Sequence, residues 1–140
     1  MREKTTVGRG YGFERRLEHA TVNEAVERVT AALQREGFGI LTQIDVKETL
    51  KKKLDVDFRR YLILGACNPS LAHRALSADP QIGLLLPCNV VVQEAVDGGV
   101  IVSIADPRAM FTVVENPALA PVVDEADARL RRVMASLESA

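Results

Sequence analysis

The sequence predicts a two-layer α+β domain: a mixed five-strand sheet, two long helices on one face, and short helices in the connections. Three observations carry that prediction. Five short runs have the alternation or two-sided apolarity of strands. Two longer stretches, one towards each end, place apolar residues at helical spacing. Asp97-Gly98-Gly99 supplies the turn chemistry that folds the last two strand runs into an antiparallel hairpin.

The first strand runs from Gly10 to Leu17, with Tyr11, Phe13, Arg15 and Leu17 on one face. Thr21 and Glu24 then form a capping box, in which each side chain satisfies a backbone donor that the helix leaves orphaned. Val22, Ala25, Val26, Val29, Ala32 and Leu33 follow on one stripe, and Gly37 suits the left-handed stop. Phe38 to Ile44 is the second strand, with Phe38, Ile40, Thr42 and Ile44 sharing a face.

Asp45 and Glu48 repeat the cap pattern at the start of a short helix. Its narrow stripe is Val46, Leu50 and Leu54, and Lys47, Lys51, Lys52 and Lys53 form a basic side, read as a solvated face with an anion or partner patch as the alternative. Arg59 to Ala66 is apolar on both faces and predicts a central strand covered twice. Asn68 as cap and Pro69 at the first helical position open another short helix, with Leu71, Ala72, Ala75 and Leu76 inward. Cys88 to Glu94 and Val100 to Ala105 are the hairpin strands, and Asp106-Pro107 breaks the chain after them. Asn116-Pro117 starts the terminal helix, whose stripe includes Leu119, Val122, Ala126, Leu130, Val133 and Leu137. Pro121 is tolerated there if it falls in the first turn.

These elements make one domain of residues 1–140, with 1–9 a flexible N-terminal segment. The net charge is −1, with Lys and Arg nearly matching Asp and Glu, so no global field draws in nucleic acid or an anionic membrane. Aromatics are 4% and Trp is absent, which argues against a base-stacking surface. The polar start carries no apolar signal region, and no apolar run approaches the ~20 residues needed to span a bilayer. The expectation is a cytoplasmic protein whose 2 cysteines are thiols.

Those cysteines occupy similar junctions, Cys67-Asn68-Pro69 and Pro87-Cys88-Asn89. Cys67 ends one predicted strand and Cys88 begins the next. Antiparallel pairing of the two brings Cys67, Asn68, Cys88 and Asn89 together, with His73 one turn into the helix that leaves Cys67. Three kinds of chemistry use that cluster. Backbone donors at the helix start, with Asn68, bind a small anionic molecule or ion, or activate Cys67 as a nucleophilic thiolate. Cys67, Cys88 and His73 make a Cys2His metal site with an open fourth position. The two thiols exchange with a disulfide as a redox sensor. Against these stand plainer roles: cysteine as a small buried hydrophobe, Asn68 as a cap, Asn89 as a turn partner and His73 in solvent. No catalytic constellation and no spaced phosphate loop appears, and no cofactor is indicated. The partly apolar sheet face left open by the long helices predicts a homodimer.

The chain resembles the domain of unknown function 302 family, the Thermus-type fold group. The likeness is densest over Gly37 to Val92, where "LGACNP" and "LLPCNV" are its distinctive segments, and continues at "IADPRAM" and "NPALAPV". The resemblance implies a β-α-β(4)-α domain, found in bacteria and archaea, that forms homodimers. It implies no substrate, reaction or cofactor. It adds weight to the two Cys-Asn junctions as a small-ligand site, with a thiol-dependent enzyme using Cys67 as the alternative.

Overall fold

A computed structural model describes residues 6–7 and 10–137. Of the segment expected to be flexible, residues 1–5 and 8–9 lie outside the described residues, while Thr6–Val7 is a short strand, β1. Then follow β2 (Gly12–Leu17), α1 (Val22–Arg35), β3 (Gly39–Asp45), α2 (Val46–Leu54), β4 (Tyr61–Cys67) and α3 (Pro69–Ala78). A 3-10 turn at Pro80–Leu85 leads to β5 (Cys88–Glu94), β6 (Val100–Ala105), α4 (Pro107–Met110) and α5 (Ala120–Ser136).

The spatial order is β1-β2-β6-β5-β4-β3, and every neighbouring pair is antiparallel. The sheet is therefore not mixed. The chain leaves β2, crosses through α1 and re-enters at the far edge as β3. Three strands separate the two, so the one connection that yields parallel neighbours elsewhere yields none here. The remaining strands double back in turn, and β6 closes against β2.

Inward-facing side chains explain why both long helices lie on one face. Phe13, Leu64, Val90, Val92, Val102 and Ile104 are fully buried on alternate strand positions. Above them sit Ala25, Val29 and Leu33 of α1 and Leu130, Val133 and Met134 of α5. Arg15 shares this face and is itself buried, and Arg131 of α5 stacks over the Phe13 ring at 4.6 Å. The opposite face is only half covered. Tyr61, Ile63, Val91 and Ile101 are partly exposed, so β4 is an inner strand but not one enclosed on both sides.

Local chemistry sets the boundaries. Both halves of the Thr21–Glu24 capping box form, and Gly37 takes φ +87° just past α1. In α2 the cap is Asp45, but no residue is buried, and Lys51 pairs with Asp55 and Asp57. Asp106 does more than break the chain: its carboxylate accepts from the Arg108 N–H and caps α4. Asn116-Pro117 opens a single 3-10 turn, and α5 proper begins at Ala120 with Pro121 in its first turn. The simple alternation expected of β3 fails at Leu41. Ile40 pairs with Ala66 and Thr42 with Gly65, which makes Leu41 the extra residue of a bulge.

Candidate functional site

Strands β4 and β5 pair so that Ala66 faces Cys88 and Gly65 faces Asn89. Cys67 thus stands one residue out of register with Cys88, and the two Cys-Asn junctions lie side by side. Gly65 permits this meeting. A Cβ there would fall inside contact distance of Thr42 Oγ1 and 2.8 Å from Pro87 Cγ, so a larger residue would push Pro87 away from the strand. The Leu86–Pro87 peptide bond is cis.

Asn68 is committed to the fold. Its Oδ1 accepts from the Leu71 N–H at 3.2 Å as the cap of α3. Its Nδ2 donates to the Glu36 carbonyl at 3.4 Å. That carbonyl also accepts from Arg129 at 2.9 Å, while Arg132 grips the Glu36 carboxylate. One residue therefore ties the end of α1 to α5 and to the start of α3. The Arg132 hydrogen bonds, opposed by partial burial and helped by the charges of Arg132, Arg129 and Arg35, hold the Glu36 carboxyl below its ordinary range.

Beneath the junctions lies a cavity of ≈ 260 Å³. Its walls include Phe38, Leu71, Phe111 and Val122, together with Cys67 and Cys88. Among the described residues, no Lys, Arg, Asp or Glu borders it, so an anion entering here meets no counter-charge from them. Both cysteines are free thiols. Burial, with a smaller effect from neighbouring Cys67, pushes the Cys88 thiol up to about 11, so Cys88 is neutral at ordinary pH. A second cavity of ≈ 230 Å³ adjoins the first. Leu86, Pro87, Cys88, Pro107 and Phe111 border both, and Asn89 belongs to the second alone.

His73 does not join the cluster. It is exposed on α3 and borders neither cavity. The helix buries Leu71 and Ala75, and a residue two places from each points to the opposite side. The Cys2His arrangement consequently does not assemble. Among the described residues, no group of three His, Cys, Asp or Glu side chains is placed to hold a metal ion. The sequence reading also missed Pro107, Phe111, Val122 and Ala126 as cavity walls. Helical spacing marked Val122 and Ala126 as buried, but not what they faced.

The family described as "Domain of unknown function DUF302" matches residues 13–137. A similar solved structure is that of an uncharacterized conserved DUF302 protein from Bacillus stearothermophilus. It is 30% identical, with a TM-score of 0.82 over 90% of this chain and 97% of that one. No curated protein matches.

Proposed function

The chain belongs to the DUF302 family, and on that premise we propose that it is a small-ligand-binding module whose site is the cavity beneath the two Cys-Asn junctions. The observation that carries this reading is a ≈ 260 Å³ space walled by apolar side chains. A cavity of about 150 Å³ already admits benzene, so this one has room for a compound of roughly bicyclic size. The favoured occupant is uncharged, because a charge would lose its hydration and find no partner on the walls. Binding is the reading favoured over catalysis. The Cys88 thiol is held neutral, and the Asn68 amide is spent on Leu71 and Glu36.

Titration with the neutral fluorophore N-phenyl-1-naphthylamine tests it. Saturable fluorescence enhancement is expected, and Ala72→Phe, which projects a ring into the cavity from half-buried α3, should abolish it while the thermal melt stays cooperative. Absence of saturable binding, or binding undiminished by that substitution, refutes the reading. A thiol-dependent role retains one supporting observation: Cys67 borders the cavity immediately before the Asn68 cap.

The working form is a cytoplasmic homodimer joined through the open sheet face. Ile44, Ile63 and Val91 lie in register across three strands, and Ile44 is 49% exposed. Light scattering should give twice the chain mass, and a monomer at micromolar concentration contradicts the assembly. No helix among the described residues is long and apolar enough to cross a membrane.

A further inference from the structure

We propose that the ligand is an uncharged amphiphile that straddles both cavities, its apolar body in the first and its polar end at the Asn89 carboxamide. This deepens the binding reading above and rests on it. The five residues common to both cavities, from the Leu86-Pro87-Cys88 segment and the turn carrying Pro107 and Phe111, form a shared partition. A molecule lying across that partition touches the sulfur-bearing strand start on both sides.

The two spaces differ in what they offer. In the first, the amide side chain among the described lining residues is Asn68, whose oxygen accepts from the Leu71 N–H and whose nitrogen donates to the Glu36 carbonyl, so it is held to the fold. In the second, Asn89 is exposed, and its side chain makes no hydrogen bond within the described residues. It has one carbonyl to accept and two N–H groups to donate. Its neighbours there are Leu84, Leu85, Ala105 and Met110, and among the described residues the one ionisable group in the lining is the neutral Cys88 thiol. A primary amide, hydroxyl or ketone can be paired at such a place. A carboxylate or ammonium group would find no counter-charge among the described residues that line this space. Each space exceeds a benzene-sized cavity, and a chain of medium length or a substituted bicycle passing over the shared residues would reach both.

Competition against N-phenyl-1-naphthylamine separates the possibilities, with naphthalene as the probe confined to the first cavity and octanamide as the straddling probe. Both should displace the fluorophore from the intact chain, and octanoate at pH 7.5 should be at least about tenfold weaker than octanamide. Asn89→Ala removes no contact that holds the fold. It should weaken octanamide by about threefold to tenfold, the loss of one neutral hydrogen bond, and leave naphthalene unchanged. If naphthalene binds but octanamide is indifferent to Asn89→Ala, or octanoate equals octanamide, the straddling pose is wrong and the apolar site stands. If neither probe binds, both proposals fall.

Discussion

Alkylation of Cys88 gives the most direct probe of how dry the cavity wall is. Replacing Cys67 by serine leaves Cys88 as the single thiol. Iodoacetamide reacts with the thiolate, so the rate follows the ionised fraction. With the thiol moved from 9.0 to about 11, about one Cys88 in a thousand is ionised at pH 8, against about one in ten for an ordinary cysteine. In this chain the smaller contribution of Cys67 is gone and burial remains, so labelling should run on the order of 10- to 100-fold slower than for a small-molecule thiol. The logarithm of the rate should climb with unit slope from pH 7 to 9.5 and show no plateau. Intact-mass spectrometry over a time course measures this directly, and urea unfolding should restore the ordinary rate. A plateau at or below pH 9 in the folded protein would mean that water or a cation stabilises the thiolate. The apolar character argued for the wall would then be refuted.

Three further outcomes test the frame around the site. Asn68→Ala should destabilise the domain by about 1 kcal/mol through loss of the α3 cap, since the Glu36 carbonyl keeps Arg129; urea denaturation with an unchanged slope checks it. Gly65→Ala should cost about 1–3 kcal/mol because its Cβ collides with Thr42 and Pro87, and Thr42→Ala in the same chain should recover part of the loss. The folded Glu36 carboxyl lies below its ordinary value, so its stabilisation is complete above the unfolded value of about 4.3 and lost as pH falls through the folded one. Thermal melts from pH 7 to 3 should show Glu36→Gln approaching the parent chain on acidification. A constant gap between them would contradict the ion pair.

Local chemistry made much of this architecture readable in advance. The Thr21–Glu24 box, the Asn68-Pro69 start and the Asp97-Gly98-Gly99 turn each depend on a few adjacent residues, and each forms where spacing placed it. The meeting of Cys67 and Cys88 needed only the antiparallel pairing of successive strands. His73 was legible too, since Leu71 and Ala75 already turned it outward. What stayed hidden depends on distant partners. Phe111 and Val122 reach the cavity only because α4 and α5 fold back over the β4–β5 end, and no periodicity encodes that approach. Nor does alternation reveal that Leu41 is an extra residue, because a bulge is visible only against the strand it pairs with.

That bulge has a consequence for how copies of the chain can meet. Unpaired strand borders invite further strands to add, the route by which sheets grow into fibres. Here one border is the two-residue Thr6–Val7 strand, and the other is kinked at Leu41. Among the described residues, neither gives an incoming backbone a long flat row of donors and acceptors. Among the described residues, growth by strand addition is blunted at both rims, and the proposed pairing through the broad face of the sheet would join two copies without recruiting a third.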